Sequence, residues 1–500
     1  MAFPSLTLTI DSVSVPSSEI CEYISIHRRE GEAATMEVVL LPGTGSQDIS
    51  DWAGKSITLV ADSTTAYTGV IDYPNVNVLG KRITLVCTDK RREILNAQTI
   101  SSVGYYSDAI FPDVDNTVDE LDQRLQTIPS AADIKPDGTY AITSMLPKTT
   151  ADITLTDSDV YRRQPSVSPT SRARLVNQIN LSFKYRYTRL RHRERSFQIG
   201  DNTFCEYSLA GDGVFTYKKQ FMDYIAGMSW NLVPDSVVFE ELPPSSISYS
   251  QCAGDPFIWN KPNDLYALWV EFDAAYRFAQ TITEDYTLTI KAPQSITQYG
   301  LIEQDLSHGC ETVYDASAFE KNDTYQAATG FTTDTNDYYD DQDDATEFTN
   351  AVETAINIAA TTIIKSHRDT QVNFETDLRL DFDLTKTIYL NSTPLQAKGK
   401  VTSLVHSFDI TNRFAQTTTE ISLSTASGTQ TADTLDAPTR PTVSVDADTF
   451  DDPYLIELTT AGVGDIESPA IDDTSRDEQV ETASETFNLE IQNDTFGITF

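Results

Sequence analysis

Cysteine is scarce and poorly placed for either of its structural uses. The five cysteines, Cys21, Cys87, Cys205, Cys252 and Cys310, are odd in number, widely spaced and never form a CxxC pair. That argues against a disulfide framework and a cysteine zinc site, and leaves buried free thiols. Histidine is equally sparse. His27, His192, His308, His367 and His406 have no companion four residues away, so no helical metal pair exists. The chain has no GxSxG, HExxH, P-loop or Rossmann glycine pattern. Carboxylates are so abundant that no pair of them singles out a glycosidase site. We therefore expect no catalytic, cofactor-binding or metal-ligating residue, no cofactor, and a structural protein in place of an enzyme.

Apolar length is lacking too. No hydrophobic run approaches the roughly 20 residues of a membrane helix, so no membrane-spanning segment is expected. The start, MAFPSLTLTID, lacks the positive head and apolar core of a secretory signal. Positive charge is also short: 36 Lys and Arg face 75 Asp and Glu, for a net charge of −39. Such a surface repels phosphate, so no sequence-specific nucleic acid partner is expected. It also repels itself in dilute buffer and is best tolerated where salt screens it. The Asp-rich, Lys-poor, Thr-rich composition fits a halophilic host; an ordinary acidic protein is the alternative.

What the chain does have is alternation. Val372, Phe374, Leu378, Leu380, Phe382 and Leu384 occupy even positions with mostly polar residues between them. A period of two predicts one extended strand with one buried face. Leu404, His406, Phe408 and Ile410 repeat the pattern, as do Thr417, Thr419, Ile421 and Leu423. Pro394, the Gly399-Lys400 pair and Asn412 punctuate an antiparallel meander. His406 falls on the apolar face and reads as a core residue.

A chain of 500 residues exceeds one core, so two to four domains are expected. The fold class is mainly β with minor α. Residues 1–98 carry short strands with turn residues between them, which argues for a small barrel or sandwich; a first small antiparallel β-barrel is the expectation. Residues 99–173 are a loop-rich connecting module, punctuated by Pro129, Pro136, Pro147, Pro165 and Pro169, with a short helix over 118–125. Residues 174–200 and 370–426 form a second barrel. Between them, 201–369 is an aromatic, β-rich insertion with strands over 204–217, 230–239 and 266–278. A helix near 345–364 follows from the stripe Phe348, Val352, Ala355, Ala359 and Ile363. The acidic run 334–347 lacks the glycine and alternation of a calcium loop; it reads as helix capping and solvation, with a loose cation site as the alternative. Residues 427–500 form an acidic extended arm with a terminal hairpin.

Three stretches together resemble the tail baseplate-hub, or tail tip hub, proteins of tailed viruses. The first is the Gly399-Lys400-Val401 start, with His406 midway and a closing strand rich in threonine at Thr417, Thr418 and Thr419. The second is Tyr286-Thr287, Ala292-Pro293, Ser295-Ile296 and Tyr299-Gly300. The third is Gly54, Gly69 and Asp89 in the N-terminal strands. The resemblance implies two similar barrels per chain, so that a homotrimer places six wall segments in a ring between a sixfold tail tube and a threefold tip. It implies a virion protein of the tail tip, assembled in the host cytoplasm and forming part of the genome-ejection channel. The implied partners are the tail tube or distal tail protein, the tape-measure protein, and tip or fibre proteins. A receptor-binding protein or adhesin is the alternative, and a tail-associated envelope hydrolase a further one.

Two groups are candidate interface residues. Arg186, Arg189, Arg191, Arg193 and Arg195 crowd one strand and its exit in an otherwise acidic chain, where guanidinium forks suit carboxylates of a neighbouring subunit. A cationic strand face neutralised by the chain's own acids is the alternative. Phe487, Leu489 and Ile491, then Phe496, Ile498 and Phe500, alternate around a turn at Asn493-Asp494. That apolar hairpin docks either on a neighbour or back on its own chain.

Overall fold

The computed structural model describes residues 3–41, 52–77, 81–161, 165–169, 171–201, 231–232, 238–239, 250–251, 258–261, 265–320, 331–334, 337–393, 395–423, 434–441 and 483–487. The N-terminal segment folds as seven strands: β1 (Leu6–Ile10), β2 (Val13–Val15), β3 (Ile20–Arg29), β4 (Thr35–Leu40), β5 (Ser56–Ala61), β6 (Thr64–Asn77) and β7 (Arg82–Thr88). Alternation decides the buried face: Ile24, Ile26, Met36, Val38, Ile57, Leu59, Leu85 and Cys87 meet in one core. Two hairpin turns set the register. Asp11 and Ser12 have φ of 48° and 69°, and Asp62 and Ser63 have φ of 45° and 69°. Two left-handed residues in a two-residue loop match the right-handed twist of the flanking strands. Gly54, with φ of 82°, makes the turn into β5.

The strand order is β2–β1–β5–β6–β7–β4–β3, continuing through Gln396–Asp409, Phe414–Leu423, Thr370–Asp377 and Ser166–Ser168. Thr387–Asn391 branches off Gln396–Asp409 and pairs in parallel with Ile153–Thr156. The decisive pairing is β3 with Gln396–Asp409, running from Tyr23 opposite Asp409 to Arg29 opposite Ser403. It fuses the N-terminal and C-terminal β units into one sheet. Among the described residues the path stays open at both ends, so neither expected barrel is closed.

Three expectations need correction. The Gln178–Asp201 strand is not part of the C-terminal β unit; it pairs antiparallel with Leu265–Lys291, from Gln178 opposite Lys291 to Asp201 opposite Leu268. This long hairpin organises a second sheet. The strand starting at Thr370 stops at Asp377 and does not run on to Leu384. Arg379 forks onto Asp381 two residues on, and Asp383 binds the backbone and hydroxyl of Thr385, which holds the segment in turns. Its alternating side chains serve two cores: Leu378 and Leu380 pack on the N-terminal core, Phe382 and Leu384 on the C-terminal one. Third, the connecting module is more ordered than its prolines suggest. A helix (Thr117–Arg124) and a hairpin (Ser130–Ile134 with Tyr140–Ser144) enclose Leu95, Leu121, Leu125, Ala132 and Ile134.

The helix over Ala345–Ser366 covers the near end of the long hairpin. Phe348, Val352, Ala355, Ala359 and Ile363 pack on Ile179, Leu181, Phe183 and Tyr185. Asp344 caps it by accepting from the Thr346 and Glu347 backbones. The acidic run thus caps the helix, and its Asp337–Gln342 part pairs with the long hairpin. The strands expected over 204–217 and most of 230–239 lie outside the described residues.

Candidate functional site

Four parts of the chain converge at the upper end of the β3 seam, and buried charge joins them. Glu30 directly follows β3 and accepts two bonds from Arg368, at 2.9 and 3.3 Å. Arg368 stands just beyond the long helix, which ends at Ser366. Lys400, 2% exposed, extends from the Gln396–Asp409 strand with its Nζ 3.5 Å from Glu30 and 3.1 Å from Thr143 Oγ1. Thr143 belongs to the connecting module. So does Asp133, which is 1% exposed and accepts the Gly31 backbone N–H at 2.9 Å. Arg91 donates to the neighbouring Ala132 carbonyl, and Lys365 Nζ to the Leu125 carbonyl at 3.3 Å.

Burial dominates the electrostatics here. It pushes the Asp133 carboxyl up to about 6, against the Gly31 N–H and the Lys400 charge, which favour its anion. Burial likewise lowers the Lys400 ammonium, with Glu30 and Asp133 opposing. Asp133 Oδ2 is enclosed and meets no hydrogen-bond partner among the described residues. These groups do not assemble a nucleophile, base and oxyanion donor. They fix the orientation of four units: directional bonds between buried charges admit one geometry, where apolar contact would tolerate sliding.

The sequence marked this place only through Lys400, and then only as part of a resemblance. Glu30 and Arg368 stand in ordinary polar surroundings, Asp133 between Ala132 and Ile134, and no spacing relates them. One signal was legible in retrospect. Lys400 sits directly between Gly399 and Val401, all three buried, and a charge set in a buried stretch of strand asks for a partner.

Two members of the arginine cluster, Arg186 and Arg189, meet carboxylates of their own chain. Arg189 forks onto Asp341 at 2.6 and 3.1 Å, with Tyr339 beneath the guanidinium at 4.7 Å. Its side chain is 3% exposed, so the carboxylate expected from a neighbouring subunit is supplied by the same chain. Arg191, equally buried, donates to Gln280 Oε1 at 2.8 Å. Arg186 reaches Glu311 at 3.3 Å, with both side chains about half exposed. Arg193 and Arg195 continue the same strand opposite Tyr276 and Ala274; their side chains lie outside the described residues. Phe487 ends a strand, Ala483–Phe487, that pairs in parallel with Ile282 to Tyr286 of the long hairpin. Leu489, Ile491, Phe496, Ile498 and Phe500 lie outside the described residues.

No protein-family model matches the chain, and no curated protein does. Solved structures similar to it include the tail protein from Neisseria meningitidis MC58, at 8% identity and TM-score 0.40, covering 84% of this chain and 96% of that one. The 43 kDa tail protein of prophage MuSo2 from Shewanella oneidensis is similar at 9% identity and TM-score 0.40, covering 83% and 97%. Prophage tail protein gp18 from Listeria monocytogenes EGD-e is similar at 7% identity and TM-score 0.36, covering 83% and 94%.

Proposed function

We propose that this chain is a structural hub protein of a viral tail tip, three copies of which form a ring that joins a sixfold tail tube to a threefold tip. The observation that carries the reading is the continuous sheet. β3 of the N-terminal unit pairs directly with the Gln396–Asp409 strand of the C-terminal unit, so each chain presents two β units as one stiff wall segment. Three such chains supply six units, and stiffness between the two units of a chain keeps their spacing regular around the ring. The ionic junction of Glu30, Arg368, Lys400 and Asp133 supports the same role, because it holds the connecting module and the helix exit to that wall. The sequence resemblance to tail hub proteins gives the reading its identity.

In this role the partners are the tail tube or distal tail protein above, the tape-measure protein within, and tip or fibre proteins below. Genome passage through the ring follows from that position. The half-exposed Arg186, with Arg193 and Arg195 further along its strand, and the C-terminal segment from Phe487 are the surfaces assigned to neighbouring chains. The acidic surface suits a host whose cytoplasm is rich in salt.

Mass photometry of the purified chain in molar salt, followed by electron microscopy of the assembled species, tests the proposal. A trimeric ring with six β units around a central opening is the expected result. A monomer that binds glycan would overturn it in favour of a receptor-binding protein.

A further inference from the structure

The seam between β3 and the Gln396–Asp409 strand buries two basic side chains next to each other. Leu404 stands opposite Arg28, and His406 opposite Ile26. Arg28 and His406 are therefore diagonal neighbours on one face of the sheet, about 7–8 Å apart by ordinary strand geometry. Both point into the interior, at 3% and 2% exposed.

Each is only partly satisfied. Arg28 donates one terminal nitrogen to the Ala66 carbonyl at 2.7 Å and lies 5.9 Å from the centre of the Tyr67 ring. Its Nε and Nη1 are enclosed and meet no acceptor among the described residues. His406 Nε2 lies 3.1 Å from the Arg379 carbonyl. A carbonyl only accepts, so Nε2 carries the proton and Nδ1 is left as a lone pair. That Nδ1 is enclosed and unpartnered, as is the hydroxyl of Thr419, which stands opposite Leu404 on the next strand.

The surrounding charges are few. Asp381 acts on His406 from the segment after the Thr370–Asp377 strand, and Asp89 and Asp383 act on Arg28. None of the three makes a hydrogen bond to the free nitrogens. A neutral imidazole suits this face, because its lone pair is compatible with the neighbouring guanidinium. A protonated one does not: it adds a second cation where donors already outnumber acceptors.

We propose that His406 and Arg28 form a proton-operated catch on this seam, closed while His406 is neutral and loosened when a proton on Nδ1 sets two cations side by side in a dry space. The consequence is local. Acid weakens the pairing that fuses the two β units, while each unit keeps its own core.

The sign and size follow from linkage. Burial first, and Arg28 second, hold the closed-state imidazole down to about 4, against 6.5 for an open one. A lowered base favours the closed state above 6.5, and that advantage is lost as pH falls toward 4. Between pH 7.5 and 5.0 this term raises the ratio of open to closed seam by about 30-fold.

Hydrogen exchange by mass spectrometry on the full chain, corrected for the pH dependence of intrinsic exchange, reads the effect in peptides covering β3 and Gln396–Asp409. The acid-induced rise in opening should be about 30-fold larger in the wild type than in His406→Gln, a comparison that cancels other titrating groups. An equal acid response in both proteins overturns the proposal. Should His406→Gln fail to fold, Arg28→Met serves instead. Removing the second cation should shrink the acid response of these peptides, and a response as large as that of the wild type overturns the catch.

Discussion

Arg368 and Glu30 are 338 positions apart in sequence and joined by two hydrogen bonds, at 2.9 and 3.3 Å. One residue stands beyond the long helix, the other at the end of β3. The pair therefore fastens the helix that covers the long hairpin to the wall formed by the two β units, with side chains only 9% and 10% exposed.

Removing one partner should be expensive. In Arg368→Met, Glu30 retains Lys400 alone, and a buried carboxylate stripped of its fork costs about 3–5 kcal/mol. Denaturant unfolding of the single variant should show that loss. Glu30→Gln combined with Arg368→Met should lose clearly less than the sum of the two single changes. Strict additivity would show that the two side chains do not act as a pair.

Asp133 gives the junction an unusual pH dependence. Its folded-state value, raised to about 6 by burial, lies above the ordinary 3.8. Its contribution is thus complete below the ordinary value and lost as pH rises through 6. Asp133→Asn keeps an oxygen for the Gly31 N–H and removes the buried charge. The variant should be more stable than the wild type at pH 7.5, by about 1–3 kcal/mol, and equal to it near pH 4. Melting curves across that range check this; a variant less stable at pH 7.5 would show that the Asp133 anion is needed by Lys400.

The two ends of the arginine cluster should behave differently. Arg189→Met strands Asp341 next to a buried strand and should destabilise the chain by about 3 kcal/mol. Arg186→Glu alters an exposed pair with Glu311, and should change chain stability by less than about 1 kcal/mol. On the hub proposal, Arg186→Glu weakens assembly without unfolding the chain. Chemical denaturation separates the first pair of outcomes, and mass photometry reads the second.

Salt should stabilise this protein over a wide range. At a net charge of −39 the surface repels itself, and the screening distance falls to about 3 Å at 1 M ionic strength. The melting temperature should climb from low to molar salt. Enclosed pairs such as Arg368–Glu30 are screened far less than the surface, so their loss upon mutation should be nearly the same at both ends of the range. A melting temperature indifferent to salt would remove the argument for a halophilic host.

Local pattern by itself determined much of this protein. Alternation placed the N-terminal strands, the Gln396–Asp409 and Phe414–Leu423 strands, and the inward face that carries His406, because side chains on a strand turn inward every second residue whatever lies beyond it. The helical stripe from Phe348 to Ile363 was equally legible, as was its acidic cap. Pairing was not. That Gln178–Asp201 joins Leu265–Lys291, and that β3 joins Gln396–Asp409, depends on which strand edges meet across long stretches of chain, and alternation is the same for every candidate edge. The segment from Leu378 to Leu384 shows the limit most plainly: its alternation is real, yet it serves two cores from a run of turns. The ionic junction was invisible for a related reason. Glu30, Asp133, Arg368 and Lys400 are ordinary charged residues until folding removes water from all four together, and only then do their charges select one arrangement of the parts.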